Sequence, residues 1–273
     1  MIIVSLSTIP SRYDDLNLTL DCLLNQTLKP DKIEVYIPAS YNRFPDWDKE
    51  PPSLPKGVDL VRCNTDYGPA TKVLPAIEKY KSENPIIIYC DDDRVYHPKW
   101  VESFVKAHKK RPDHAIANHG WVITKKPIRK RFIKVKTAFD LIYRIKRLYQ
   151  TFHNLLSDHK KPKPERSWRF LKGGLVDVME GYGGCLIKPS MFDSSVFEMP
   201  KLALQHDDIW LSGKLAQKGV EIWLNPKGRV IMIQEHMVND PLNEAIFDNL
   251  DRDELTKKLV DYMSETFDIW KKN

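Results

Sequence analysis

The residues best placed to do chemistry are three adjacent aspartates, Asp91-Asp92-Asp93. They directly follow Ile86-Ile87-Ile88-Tyr89-Cys90, the strongest strand signal in the chain. A continuous apolar run of this kind reads as a strand covered on both faces. In open α/β sheets, ligands bind where such strands end. Adjacent carboxylates repel one another unless a cation neutralises them. Hard oxygen donors suit Mg²⁺ or Mn²⁺, which bridge one or two carboxylates to phosphate oxygens. The spacing of Asp91 and Asp93 lets two side chains point to one side. The competing structural reading is an acidic loop that caps a helix beginning near Pro98.

Four other segments carry reactive or ligand-approaching groups. Asp207-Asp208 opens a helix that runs on through Leu215 and Ala216 to Gly219. Aspartates there either cap the helix and meet its dipole, or offer a rigidly mounted general base for an attacking hydroxyl. Glu180-Gly181-Tyr182-Gly183-Gly184 holds three glycines in four positions, which permit a tight turn or close backbone approach to a ligand. Asp66-Tyr67-Gly68-Pro69-Ala70-Thr71-Lys72 is a turn leading into a helix, with Lys72 in its first turn. That lysine is either a solvated surface cation or a partner for a diphosphate. Finally, Val230-Ile231-Met232-Ile233-Gln234-Glu235-His236 reads as a strand ending in histidine, a neutral imidazole that suits a metal.

Alternating strands and helices must position these groups. Residues 2–6 form a short apolar run that reads as a buried first strand, ended by Pro10. Leu16, Leu20, Leu23 and Leu24 recur at helical spacing and predict a helix over 13–26. Ile33, Val35 and Ile37 alternate in a strand over 32–38, and 58–62 is a third strand. Val73, Leu74 and Ile77 predict a helix over 71–82, and 85–90 is the fourth strand. The pattern implies an α/β fold with a mainly parallel sheet. Leu255, Leu259, Tyr262 and Met263 form an apolar stripe in a C-terminal helical segment over 239–273.

The order of these parts resembles the GT-A glycosyltransferases, specifically the inverting, family 2-type enzymes. Asp91-Asp92-Asp93 matches their DXD motif, and Asp207-Asp208 matches the acidic pair at their base helix. Segment 5–12 resembles their opening nucleotide-binding stretch, Gly68-Pro69-Ala70-Thr71-Lys72 their glycine-then-basic segment, and Gly181-Tyr182-Gly183-Gly184 their glycine-rich stretch. The resemblance covers roughly 1–120 and 173–240. It implies a GT-A, Rossmann-like mixed, mainly parallel sheet flanked by helices, in a single catalytic domain over 1–273. It implies transfer of a sugar from a nucleotide-diphosphate sugar (UDP-, GDP- or TDP-linked) to a saccharide or lipid-linked hydroxyl acceptor, with inversion. Asp208 falls at the catalytic base and Asp207 precedes it. Thr8, Pro10, Arg12, Asp66, Gly68, Lys72, Asp91, Asp92, Gly183 and Gly184 fall at the donor site. Asp93, Asp91 and His236 fall where Mn²⁺ or Mg²⁺ is held. Two departures stand out. No acidic residue occurs in Tyr36-Ile37-Pro38-Ala39-Ser40, where the family often has one for uracil or ribose, and the base pair begins with Asp rather than Glu.

Segment 125–172 fits no family element. It holds 16 Lys and Arg against three Asp and Glu, a net charge of +13, while the remaining residues hold 27 against 34, a net of −7. Leu141, Ile145, Leu148, Phe152 and Leu155 predict an amphipathic helix over 137–157, so the segment reads as a basic helical insertion. It is open to three uses: a lid over an anionic or lipid-linked acceptor, contact with anionic membrane, or plain packing on the domain. The four cysteines form no CxxC pair and read as reduced thiols. With no leader and no long apolar run, the expected location is the cytoplasm, peripheral to a membrane if the insertion binds one.

Two other classes compete. A Mg²⁺-dependent nucleotidyltransferase would carry a glycine-rich phosphate loop after the first strand, and 5–12 has no glycine. A nucleic-acid-binding protein using the basic segment would have no need of the acidic motifs, so no nucleic-acid partner is expected.

Overall fold

The computed structural model describes residues 1–48, 50–123, 133–136, 145, 148–149, 151, 168–226 and 251–270. The strands that matter are β1 (Ile2–Ser7), β2 (Lys32–Pro38), β3 (Asp59–Cys63), β4 (Ile86–Cys90), β5 (Ala115–Ala117), β6 (Gly120–Trp121), β7 (Ile133–Lys136), β8 (Trp168–Lys172), β9 (Gly174–Val176), β10 (Val178–Met179), β11 (Cys185–Ile187) and β12 (Ile222–Leu224). Eight of them form one sheet in the order β3-β2-β1-β4-β11-β5-β12-β9.

The first half of that sheet is parallel, β3 to β2 to β1 to β4. Then β11 inserts antiparallel between β4 and β5, with Cys185 opposite Tyr89 and Ala117. Because β11 runs backwards, its first residue lies beside the last residues of β4. The glycine-rich turn that precedes β11 is thereby delivered to the carboxyl end of β4, where the aspartates sit. β12 runs parallel to β5, and β9 closes the edge antiparallel.

Each face of the sheet is covered. Helices α1 (Leu16–Leu24) and α3 (Trp100–Lys110) lay Leu16, Leu20, Leu23, Trp100 and Phe104 on one face, against Val4, Leu6, Ile88 and Leu186. Helices α2 (Leu74–Lys79), α4 (Asp207–Gln217) and α5 (Arg252–Phe267) lay Leu74, Ile77, Ile209, Leu215, Leu259 and Met263 on the other, against Ile3, Ile87 and Ile187. Burial on both sides is why β1 and β4 are apolar at successive positions rather than alternating.

Two expected helices are shorter than their apolar spacing suggests. The predicted 13–26 helix begins as a 3-10 turn at Pro10–Arg12 and becomes α-helical only at Leu16. The predicted 71–82 helix is a 3-10 turn at Gly68–Lys72 followed by α2, with Val73 between them at φ −136°. Pro75 sits in the first turn of α2, where its missing N–H costs nothing. In both cases a proline near the start sets the break that spacing alone does not show.

The segment over 125–172 also differs from one helical insertion. Its two ends pair as an antiparallel ladder, β7 with β8, and residues 145, 148, 149 and 151 are helical. Of the apolar stripe predicted there, Ile145 and Leu148 are 57% and 63% exposed, not packed on the sheet. The rest of the predicted helix over 137–157 lies outside the described residues. Among the described residues no helix is long and apolar enough to cross a membrane.

Candidate active site

Asp91, Asp92 and Asp93 begin one residue past β4, as the sequence implies. The loop they occupy is held from beneath. Thr19 Oγ1 donates to the carbonyls of Asp92 (2.6 Å) and Arg94 (2.9 Å). The Tyr96 hydroxyl accepts from Asp91 N at 3.1 Å and donates to the carbonyl of Tyr182 at 3.2 Å. The helix-capping reading of the triplet does not hold. The residue before α3 is Lys99, whose side chain makes no cap bond, and the first-turn N–H of Val101 is taken by Gln26 Oε1 at 3.0 Å, not by an aspartate.

Each aspartate instead has a cationic neighbour. Arg12 Nη1 lies 2.8 Å from Asp92 Oδ1 and 3.5 Å from Asp93 Oδ2. Arg94 Nη1 lies 3.0 Å from Asp93 Oδ1. Lys72 Nζ lies 2.8 Å from Asp91 Oδ1 and 2.9 Å from Asp207 Oδ2. Lys72 therefore bridges the triplet to the second acidic pair, 116 positions along the chain from Asp91 to Asp207. It is not a solvated surface lysine. It is 5% exposed, with its charge already matched by two carboxylates.

The second pair occupies the first turn of α4, but its side chains do not cap that helix. The N-cap is His206, with no side-chain cap bond. Asp207 faces Lys72, and Asp208 Oδ1 accepts from the backbone N–H of Gly181 at 2.9 Å. The two segments approach closely at Gly181. A Cβ on Gly181 would stand 2.8 Å from Lys72 Nζ and 3.3 Å from Asp208 Oδ1. Gly184 has φ +87°, and its Cβ would stand 2.3 Å from the Trp100 indole. The glycine-rich turn, Gly181–Gly183, is thus clasped between Trp100, whose Nε1 donates to Gly183 O at 3.0 Å, and His119.

The electrostatics follow from crowding like charges in a water-poor place. Burial, then the neighbouring charge of Asp207, pushes the Asp208 carboxyl well above the ordinary carboxylate range, against the pull of Lys72. Burial and then Asp91 push Asp93 up to about 6. Asp91 goes the other way: burial would raise it, but Lys72, with Arg94 and Arg12, holds it low. Lys72 itself is pushed down by burial and held well above the ordinary lysine range by Asp207 and Asp91.

The other sequence-predicted residues divide. Thr8 is buried, and its Oγ1 has no hydrogen-bond partner among the described residues. Pro10 starts the short turn that presents Arg12. Asp66 shapes its own loop, with Oδ1 accepting from Gly68 N at 2.8 Å and Oδ2 from Asn42 N at 2.7 Å. Gly68 has φ +58°, and a Cβ there would stand 2.7 Å from the Leu204 carbonyl, just before α4. Gly183 and Gly184 lie in the turn already described. His236 lies outside the described residues. Sequence reasoning passed over Arg94, Tyr96, Trp100 and His119. Arg94 could have been read as a counter-ion from its place after three aspartates, but the aromatics give no local signal, because only the sheet order brings them to the turn.

Two carboxylates with incomplete partners fit a cation. Asp92 Oδ2 is buried and accepts no hydrogen bond among the described residues, and Asp93 Oδ1 has there only its ion pair with Arg94. No three His, Cys, Asp or Glu side chains among those residues converge as a closed cage. That donor set suits an ion that takes few protein ligands and draws the rest from phosphate and water.

No curated protein matches the chain. A family model described as glycosyl transferase family 2 matches residues 10–164, more than half of the chain. That region carries the triplet and Lys72, and the sheet is the mixed, mostly parallel, helix-flanked GT-A arrangement. The chain belongs to glycosyl transferase family 2 and is a glycosyltransferase.

Proposed function

We propose that the chain transfers a sugar from a nucleotide-diphosphate sugar to a hydroxyl acceptor with inversion, and that Asp208 is the base. The observation that carries this reading is the Lys72 bridge, which joins the end of β4 to the start of α4 in one site. Asp208 stands at that junction with Oδ1 fixed by the Gly181 N–H. Its raised proton affinity suits a group that must take a proton from an alcohol. Asp207, paired with Lys72, is the positioning partner. Asp93, with Asp91 and His236, would hold Mn²⁺ or Mg²⁺. When bound, the ion would offset charge on the departing diphosphate. Arg12 and Arg94 add positive charge on the same side, and Thr8, Asp66, Gly68, Asp92, Gly183 and Gly184 line the donor side. The acceptor hydroxyl gives its proton to Asp208 as its oxygen attacks the anomeric carbon from the face opposite the nucleotide.

Asp208→Asn tests this directly. Transfer should fall by about 10²–10⁴-fold, while thermal stabilisation by a screen of UDP-, GDP- and TDP-sugars with Mn²⁺ should persist. Full transfer by the variant would remove Asp208 from the role.

A peripheral contact with anionic membrane is favoured by one observation. Ile145, Leu148 and Tyr149, at helical spacing, are 57%, 63% and 65% exposed within the segment of net charge +13. Sedimentation with anionic liposomes at low salt should carry the chain down, and its absence from the pellet would remove the membrane contact.

A further inference from the structure

The residues beyond the base point to what the acceptor is. The glycine-rich turn has two aromatic flanks of different character. On one flank, Trp100 and Tyr96 are 0% and 1% exposed and serve as support. On the other, Tyr182, His119 and Phe170 are only half-buried. Their rings adjoin in a row. The Tyr182 and His119 centroids are 4.7 Å apart at 43°, and those of His119 and Phe170 are 5.5 Å apart at 75°. The Tyr182 hydroxyl lies 2.8 Å from His119 Nδ1.

This row is tied to both halves of the site. Tyr182 follows Gly181, whose N–H holds Asp208, and the Arg94 guanidinium lies 5.9 Å from the Tyr182 ring centre beside Asp93. The glycines are shaped for it, since a Cβ on Gly183 would stand 2.6 Å from the His119 ring. Three segments far apart in the chain supply the rings: the loop after β5, the middle of β8 and the turn before β11.

We propose that Tyr182, His119 and Phe170 form the acceptor platform, and that the group they receive is a pyranose ring rather than a lipid phosphate. Aromatic faces edged by polar tips match a sugar, whose axial C–H bonds pack on a ring while its hydroxyls bond at the rim. A phosphate acceptor would call for an uncommitted cation, and the guanidinium beside the row, Arg94, is paired with Asp93 at 3.0 Å. The proposal rests on Asp208 as the base, because it is nearness to Asp208 that makes this flank the acceptor side.

Saturation-transfer NMR of the full chain with a panel of methyl pyranosides tests it, with a short isoprenyl phosphate as the comparison probe. Wild type should saturate the C–H protons of at least one pyranoside. Phe170→Ala and His119→Ala should weaken that signal by about three- to tenfold. Phe170→Leu, which keeps bulk without a ring, should behave like Phe170→Ala, and nucleotide-sugar thermal shifts should stay at wild-type values in all three. Asp208→Asn should keep the pyranoside signal. Unchanged signals in the Phe170 and His119 variants, or saturation of the isoprenyl phosphate alone, would overturn the platform and leave the base intact. Full transfer by Asp208→Asn would overturn the base reading instead.

Discussion

Replacing Lys72 by methionine keeps most of the side chain's bulk and deletes its charge. Lys72 is 5% exposed, and its ammonium contacts Asp91 at 2.8 Å and Asp207 at 2.9 Å. Its removal leaves two carboxylates, with Asp208 beside them, in a place largely closed to water. Breaking a buried ion pair from one side costs about 3–5 kcal/mol. At about 2 °C per kcal/mol for a chain of this size, unfolding should shift down by roughly 6–10 °C near neutral pH. The pH dependence sharpens the case. Lys72 is held above its ordinary range, so its contribution is complete below about pH 10 and fades only as pH rises through the raised value. Asp91 is held below its ordinary range, so its contribution is present above about pH 4 and fades as pH falls through the lowered value. Both contributions are whole near neutrality. In the variant, Asp91 loses the cation that holds it low, takes up a proton more readily, and the deficit narrows as the solution is acidified toward about pH 5. Thermal unfolding followed by near-UV circular dichroism at both pH values, on wild type, Lys72→Met and the Lys72→Met/Asp91→Asn double variant, measures this. The double variant should recover part of the loss. A variant within 2 °C of wild type at both pH values, or a deficit that widens on acidification, would refute the bridge.

Three further outcomes are expected. Gly181→Ala sets a methyl 2.8 Å from Lys72 Nζ, so it should cost about 1–3 kcal/mol in denaturant titrations and lower transfer in the same sample. Gly184→Ala combines φ +87° with a contact of 2.3 Å on the rigid Trp100 ring, and should destabilise more than Gly181→Ala. Asp93, pushed up to about 6 by burial and Asp91, opposes folding at neutral pH, and the chain should gain stability as pH falls from about 6 toward about 4. Asp93→Asn should therefore unfold a few degrees higher than wild type in a chelator near neutral pH and lose any Mn²⁺-dependent increment. A lower melting temperature in the chelator would contradict the charge crowding.

The sequence makes the sheet largely legible, because strands buried on both faces announce themselves as unbroken apolar runs. The run ending at Cys90 places the triplet, and the bounds expected for β2 are those found. What spacing does not carry is adjacency across the sheet. Nothing local to Cys185-Leu186-Ile187 says that this short strand lies antiparallel beside β4. For that reason spacing does not show that two aspartates of the chain itself, Asp91 and Asp207, meet Lys72. The same gap hid Trp100 and His119, which matter only because the sheet order sets them against the glycine-rich turn. Apolar periodicity also overlooks the short turns that Pro10 and Pro75 impose at the helix starts.

The reversed strand β11 has a consequence for sequence change at a distance. Cys185 and Ile187 face one core layer and Leu186 the other. A slip of one position would exchange the two layers and carry the preceding turn about 3.4 Å along the sheet. The fit of these three side chains is thus a ruler that sets where Gly181 offers its N–H. Repacking around Leu186, with no contact to any reacting group, is a route by which evolution could retune turnover.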